Sequence, residues 1–423
     1  MKISSRLSVF NNSTYLKMYL AQLISQVGTF TGLSAMAFYM LDRFSTQPIF
    51  TTITELMYSL PTLFVFLFTG VIADKLDRKK ILLWCDGISG FISILLLFAI
   101  YFDSVPLVFL LLFLRSGFMK FFHPAGVAII QGVLSKEEYP VAIGFNQMLY
   151  SIFVIIGSGL GAVAYWNIGI SGAIIVDSIS FFLSGLLIYS CSISEDIRLP
   201  NGKIRFNDLK FSDMIGDFKL GISYTVKNPI ILSLYFGVII MGIVNGAMSV
   251  IPLFMMKYNL TPTNYEGMQV ILSWAFGIGI LLGSIYATRL VKKIPLYKMI
   301  IASFVVSSLA HFTQSVFHYS SVFVIFHFIY AFSVPLCNVA FFGWIGQIVE
   351  KKMMGRVQAL ITPLMMFTFA VTQGIIAIVF PKWISIEALV AVVGFSELLI
   401  SLFYFITLPG IARKVKDSVV SVS

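Results

Sequence analysis

The sequence predicts an all-α integral membrane protein of about twelve transmembrane helices, arranged as two pseudo-symmetric six-helix bundles. The first observation behind this prediction is composition. Of the 423 residues, 58% are hydrophobic and only 11% are charged, whereas soluble domains carry about 25% charged residues. The second is the grouping of apolar residues into runs of about 20, the length that crosses a bilayer. The third is a basic loop that recurs at the same point in each half of the chain.

Apolar periodicity and turn residues place the predicted helices in two groups of six. The first group covers 16–40, 48–73, 81–101, 105–131, 140–165 and 168–192. The second group covers 229–256, 265–288, 297–317, 321–347, 356–380 and 384–408. The predicted domains are an N-terminal six-helix bundle, a cytoplasmic linker that carries a short surface helix, a C-terminal six-helix bundle and a cytoplasmic tail, over 1–192, 193–228, 229–409 and 410–423.

The distribution of lysine and arginine predicts the orientation of the chain in the membrane. Alternate loops are rich in these residues, as in 75–80 and 289–298, while the loops between them contain only Arg43, Lys257 and Lys382. Because cytoplasmic loops carry an excess of lysine and arginine, both termini are predicted to lie in the cytoplasm. The net charge of +10 is spread singly among apolar runs, so no nucleic-acid partner is expected.

Several kinds of chemistry are not expected from this sequence. It contains no phosphate-binding Gly-x-x-x-x-Gly-Lys-Ser/Thr loop and no His-Glu-x-x-His pattern, so neither ATP hydrolysis nor zinc-dependent hydrolysis is predicted. Cys85, Cys191 and Cys337 lie far apart in apolar stretches, which predicts neither disulfides nor a metal site. The expected protein is not an enzyme and binds no cofactor or metal.

Two basic loops at equivalent positions indicate an internal repeat. The segment 73–79 (ADKLDRK) follows predicted helix 2, and the segment 287–293 (ATRLVKK) follows predicted helix 8. Membrane proteins built from such parallel repeats bind their substrates between the halves, near the middle of the membrane.

The first of these loops carries a family resemblance. The segment 70–80 (GVIADKLDRKK), after a helix with Leu60-Pro61, resembles the signature loop of the major facilitator superfamily. Its Asp-Arg-Lys form resembles the branch that contains macrolide-efflux and enterobactin-exporter proteins. Three further segments are similar to that branch: Arg115 with His123-Pro124-Ala125, Asp177-Ser178-Ile179-Ser180-Phe181, and Gly355-Arg356-Val357.

The resemblance implies the fold of that superfamily and a secondary active transporter in the cell membrane. It implies proton-coupled efflux of a small amphipathic compound, a drug or a siderophore, by alternating access of a monomer. The sequence departs from the branch at Ser158, where exporters have proline, and at Thr29, where an acidic residue is common. The alternatives are a lipid or lysolipid transporter, an uptake carrier and a non-transporting membrane sensor.

In the signature loop, the resemblance implies a conformational latch. A carboxylate at the end of helix 2 can accept hydrogen bonds from a neighbouring helix N-terminus, whose dipole favours negative charge. The alternative is a solvated turn whose basic residues only set the topology. The candidate latch residues are Gly70, Asp74, Asp77, Arg78 and Lys79.

Charged residues within the predicted spans are candidates for coupling. Arg115 lies in an apolar span, where a central arginine costs roughly 2.5–3.5 kcal/mol, so it needs a carboxylate or an anionic substrate as partner; the alternative is snorkelling to the interface. Glu55 is the first candidate for a protonatable carboxyl, unless it lies in water near the outer surface. Glu397 is the second, although helix 12 is usually peripheral in the family. Asp177 is expected to support packing or hydrogen bonding within the N-terminal half, and substrate contact is the alternative.

Uncharged polar residues on helices that are expected to line the cavity are candidates for substrate contact. The alternative for each is an interhelical hydrogen bond, worth about 0.6 kcal/mol. The candidates are Gln22, Gln26, Asn146, Gln147, Tyr150, Asn245, Trp274, Asn338 and Gln373. Helix 5 also carries Gly157, Gly159 and Gly161, which permit close helix approach and bending.

Overall fold

The computed structural model describes residues 7–135, 138–199, 211–291, 293–349 and 354–420, and within these ranges the chain is helical apart from its connections. Two compact units divide the chain, Met1–Lys210 and Phe211–Ser423. The division falls inside the predicted linker, of which residues 200–210 lie outside the described part. The basic residues Lys2, Arg6, Lys136, Lys292, Lys351 and Lys352, which contribute to the predicted orientation, also lie outside it.

The N-terminal unit contains eight described helices, which begin after a short 3₁₀ turn at Leu7–Asn11. They are α1 (Ser13–Arg43), α2 (Ile49–Ser59), α3 (Pro61–Lys75), α4 (Arg78–Tyr101), α5 (Val105–Met119), α6 (Phe122–Val133), α7 (Tyr139–Tyr189) and α8 (Glu195–Arg198). Asn12 caps α1, because its side chain accepts a hydrogen bond from the Tyr15 N–H at 3.0 Å.

Two predicted helices are each divided into two shorter helices. The predicted helix 48–73 is interrupted at Leu60. Pro61, the first residue of α3, has no N–H group to continue the helical backbone hydrogen bonds. The predicted helix 105–131 is interrupted at 120–121, because Pro124 cannot donate to the Lys120 carbonyl and its ring clashes with that group. These interruptions were not predicted.

Helix α7 holds two predicted helices, 140–165 and 168–192, in one helical run of 51 residues. With 51 residues, this segment is long enough for two spans of about 20 residues each. Gly169 divides it with φ 67° and ψ 179°, a backbone conformation that glycine adopts without a steric penalty. The run therefore supplies two spans, one on each side of Gly169.

The C-terminal unit contains another eight described helices. They are α9 (Phe211–Lys227), α10 (Pro229–Met248), α11 (Ile251–Met255), α12 (Tyr265–Leu290), α13 (Leu296–Val316), α14 (Ser320–Ile348), α15 (Met354–Val379) and α16 (Ile386–Val420). Asn228 caps α10 by accepting from the Ile230 N–H at 3.2 Å, with Pro229 at the first helical position.

Among the described residues, ten segments are long and apolar enough to cross a membrane. Helix α1 is not one of them, since glutamines and hydroxyl-bearing side chains interrupt its apolar sequence, but its 31 residues exceed the length of a span. Each of the twelve predicted helices corresponds to a helical segment among the described residues, with α1 and the part of α7 before Gly169 matching predicted helices 1 and 5. The prediction of an all-α membrane fold is confirmed.

Glycines bring α1 and α7 together in the N-terminal unit. A Cβ atom added at Gly157 would lie 2.5 Å from Phe30 Cδ1, and one at Gly161 would lie 2.2 Å from Ser34 Cβ. Both positions therefore require the smallest side chain for the two helices to pack. Gly159 is half-buried in the same helix.

Candidate functional site

A buried ion pair crosses the N-terminal unit. Arg115 of α5, 4% exposed, pairs with Asp177 of α7, which is fully buried. Ser93 of α4 donates to Asp177 Oδ2 at 2.9 Å and accepts from Arg115 Nη1 at 3.2 Å. The guanidinium carbon also lies 5.3 Å from the centre of the Phe181 ring. Asp177 is thus the carboxylate partner that an arginine in a membrane span requires.

Glu55 has a different environment. It is half-buried on α2, and no hydrogen bond or ion pair to its carboxyl group is found among the described residues. Tyr58, one turn along, lies close enough to be influenced by the charges of both Glu55 and Arg115. Glu55 therefore lies near the buried ion pair without being part of it.

The signature loop connects α3 and α4, and Asp77 has two roles in it. The Asp77 carboxylate accepts from the Lys80 N–H at 3.2 Å, which caps α4, and it forms an ion pair with Arg198 of α8. Burial alone would raise the pKa of Asp77. The hydrogen bonds from Arg198 and from the Lys80 N–H outweigh burial, so the pKa lies below its usual range.

The basic residues of the loop bind the end of α7 and the segment that follows it. Lys79 Nζ donates to the carbonyls of Tyr189 at 2.8 Å and Cys191 at 2.7 Å, a favourable place for a cation because the helix C-terminus carries negative partial charge. Arg78 Nη1 donates to the Ile197 carbonyl at 3.1 Å. All of these contacts lie within the N-terminal unit.

Two of the predicted latch residues, Gly70 and Asp74, lie in α3, and their surroundings are outside the described part. The proposed latching role of the loop therefore stays a prediction.

Replacing Asp77 by asparagine tests the ion pair, because asparagine also caps helices well. The pKa of Asp77 is lower in the folded chain than in the unfolded chain. The ion pair therefore stabilises the fold fully above about pH 4, and this stabilisation is lost as the pH falls through the lowered folded-state pKa. We expect Asp77→Asn to cost about 1 kcal/mol at pH 7 and progressively less as the pH falls below about 4. Thermal unfolding in detergent across this pH range measures the difference, and a difference independent of pH would contradict the assignment.

The C-terminal unit contains a cavity of about 250 Å³. Two predicted cavity residues, Asn245 of α10 and Asn338 of α14, line it. Its apolar wall is formed mainly by Met241, Phe304, Phe341, Phe342 and Met365. Its polar lining also includes Ser307, Ser333, Tyr330 and Glu397.

Glu397 lies beside this cavity in an almost completely enclosed position. It is 2% exposed, and its Oε2 atom lies 2.7 Å from Nδ1 of His311, which is itself fully buried. Glu397 on α16 therefore faces the interior of the bundle. The same helix exposes Phe395, Leu399 and Leu402 on another face, so the expectation that helix 12 is peripheral stays a prediction.

The other predicted cavity residues have varied environments. Gln22 and Gln26 are half-buried on α1, and Asn146 is half-buried on α7 with its Oδ1 atom unpaired among the described residues. Trp274 is 50% exposed on α12. Gln373 is buried and donates to Ser249 Oγ at 2.8 Å, the interhelical hydrogen bond that was the alternative for this group. The side chains of Gln147 and Tyr150 lie outside the described part.

His311 was not among the residues predicted from the sequence. A histidine within an apolar span is a signal of the same kind as a buried arginine, because each is costly in a membrane without a partner. The partner is 86 residues away in the sequence, so the pairing could not be recognised from local spacing.

Comparison with known proteins agrees with the fold. The family model described as Major Facilitator Superfamily matches residues 18–373. An uncharacterised MFS-type transporter of Bacillus subtilis (strain 168), YkuC, is 44% identical over 409 residues, which cover 95% of this chain and 94% of YkuC. Macrolide efflux protein A of Streptococcus pyogenes is 25% identical over 331 residues, 76% of each chain.

Solved structures share the same architecture. The crystal structure of the nucleoside transporter NupG has a TM-score of 0.73 at 12% identity, covering 93% of this chain and 99% of NupG. The peptide transporter POT, in complex with sulfate, has a TM-score of 0.74 at 10% identity and 95% coverage of both chains. The family match, the ten apolar spans among the described residues and the signature loop together show that this chain is a multi-pass membrane transporter of the major facilitator superfamily.

Proposed function

We propose that this transporter exports a small amphipathic compound, a drug or a siderophore, in exchange for protons. The observation that carries the proposal is the lining of the C-terminal cavity. Aromatic and methionine side chains such as Phe304 and Met241 form its apolar wall, and the amides of Asn245 and Asn338 supply polar groups. A ligand with an apolar body and a few polar groups suits such a surface. The likeness to macrolide efflux protein A supports export as the direction.

The proposed transporter works as a monomer in the cell membrane, with both termini in the cytoplasm. The alternation of basic and neutral loops supports this orientation. The two six-helix halves would expose a substrate site to the two sides in turn, as in other transporters built from parallel repeats.

Accumulation in cells tests export and its energy source. Cells with and without the gene are given a radiolabelled macrolide, a set of fluorescent cationic dyes and a labelled siderophore, and a protonophore is added halfway. We expect expression to lower the accumulation of at least one compound and the protonophore to restore it. Higher accumulation on expression would indicate uptake instead, and no change for any compound would contradict export of these classes.

Glu55 is the proposed proton-carrying group of the N-terminal half. A carboxyl group in a membrane span without a basic partner is costly when charged, so holding a proton would allow the empty transporter to change conformation. We expect Glu55→Gln to reduce protonophore-sensitive export by about tenfold or more. Asp196→Asn makes the same chemical change at an exposed residue of α8 and is expected to export normally. Equal export by both variants would contradict the role of Glu55.

A further inference from the structure

The pair of His311 and Glu397 is one of the most deeply enclosed polar contacts of the C-terminal unit. Their exposed fractions are 0% and 2%, and the Nδ1–Oε2 distance is 2.7 Å. Glu397 is the twelfth residue of the 25-residue span Ile386–Gly410, which places it close to the middle of the membrane. A charge is most costly at this depth.

The charge of the pair depends on a single proton. His311 Nε2 is buried and has no hydrogen-bond partner among the described residues. This geometry fits a neutral imidazole whose one hydrogen is on Nδ1 and is donated to Glu397 Oε2. In that state the carboxylate leaves the pair with a net charge of −1. Adding one proton makes the pair neutral.

Among the described residues, no cation is found in contact with the pair to balance a negative charge. The ionisable groups that interact with it electrostatically are Tyr330, Cys337 and His327, all on α14. The Tyr330 ring packs against the His311 ring with centroids 4.6 Å apart. None of these side chains is a lysine or arginine, in contrast to the N-terminal unit, where Arg115 neutralises Asp177.

The cavity provides a route for a proton. Glu397 lines the cavity, and Asn245 and Asn338, which also line it, are exposed residues on α10 and α14. The cavity of about 250 Å³ has a mainly apolar wall, but Asn245, Asn338, Ser307 and Ser333 supply polar groups beside Glu397. Its volume has room for several water molecules at about 30 Å³ each. Because Oε2 is held by His311, the other carboxyl oxygen of Glu397 is available to take a proton from such water.

We propose that His311 and Glu397 form a proton-binding site of the C-terminal bundle, loaded and unloaded through the cavity that Asn245 and Asn338 line. The proton adds to the Glu397 carboxylate, forming an O–H bond, and His311 positions the carboxyl group by its Nδ1–H. The connection of this site to transport rests on the proposed proton-coupled export. Proton binding itself does not require a substrate.

Infrared spectroscopy of the purified protein tests the site directly. Spectra recorded while the pH is varied contain the carbonyl stretch of each protonated carboxyl group. We expect the wild type to show a titrating carboxyl band that Glu397→Gln lacks. Glu387→Gln, which alters a more exposed carboxyl at the start of the same helix, should keep that band. Identical titrating bands in wild type and Glu397→Gln would overturn the proposal.

A second variant tests the proposal even if Glu397→Gln does not fold. In His311→Gln the carboxyl group remains but loses its imidazole partner. We expect the band of Glu397 to remain and its titration midpoint to move by about one pH unit or more, the size that follows loss of a hydrogen-bonded partner. An unchanged midpoint would show that the two groups do not act together, and would also overturn the proposal.

The infrared spectra test the proton-binding site, and the accumulation assay tests the proposed function, so either proposal can be contradicted without the other. If the wild type shows gradient-driven export but no Glu397 band, the proton-binding site is contradicted and the proposed function stands. A Glu397 band without gradient-driven export would establish the proton site and remove the proposed function.

Discussion

Replacing Arg115 by alanine is expected to cost about 3–5 kcal/mol of stability, because it leaves the Asp177 carboxylate as an unpaired buried charge. Asp177 is fully buried, and its remaining partner, Ser93, is neutral. A hydroxyl group alone cannot balance a charge inside a membrane span. Thermal unfolding of the purified protein in one detergent, monitored by size-exclusion chromatography, measures the loss of stability relative to wild type.

Two controls distinguish a missing charge partner from a general defect. Arg43 pairs with Asp103 at 2.7 Å, but the two side chains are 38% and 62% exposed. Arg43→Ala should therefore change stability by less than about 1 kcal/mol. Replacing both Arg115 and Asp177 by leucine removes both charges and should recover much of the loss. Equal effects of Arg115→Ala and Arg43→Ala would contradict the structural role of the buried pair.

Alanine at Gly283 is expected to separate α12 from α14. An added Cβ atom would lie 2.2 Å from the Phe332 carbonyl oxygen, a backbone atom that cannot rotate away. Gly279, one turn earlier on the same face, is also tight, since an added Cβ atom would lie 2.7 Å from Ala331 Cβ. Overpacking usually costs 1–3 kcal/mol, and we expect about 3 kcal/mol or more here because backbone must move. The same thermal unfolding experiment measures this loss.

Gly374 on α15 is the matched control for Gly283. No atom lies within 4 Å of a Cβ atom added there. Alanine favours a helix over glycine by about 1 kcal/mol, so Gly374→Ala should be neutral or slightly stabilising. If Gly283→Ala were as stable as Gly374→Ala, close packing of α12 on α14 would be contradicted.

The number of spans was predictable, because the length of an apolar run is a local property. Membrane thickness sets that length, and most spans from Arg78–Tyr101 to Ile386–Gly410 lie close to the predicted ones, while Ile155–Tyr189 extends over two predicted helices. The interruptions before Pro61 and Pro124 have a local cause as well, the missing N–H of proline. They could have been predicted, but the apolar runs continue through both.

The signature loop was also recognisable from sequence, while its contacts were not. A basic loop after helix 2 indicated the family, and the family match confirms it. Lys79 binds the segment after α7, and Asp77 binds Arg198. These partners lie more than 100 residues away in the sequence, so local patterns could not indicate them.

The sequence by itself determined the fold class, the family and the need of Arg115 for a counter-charge, because each follows from the cost of polar groups in lipid. Only the tertiary structure decided which groups meet. Arg115 pairs with Asp177, and His311 pairs with Glu397. Asn245 and Asn338 line the same cavity. These partners come from helices far apart in the chain, and their contacts are set by helix packing, where small residues and side-chain shape determine which faces touch.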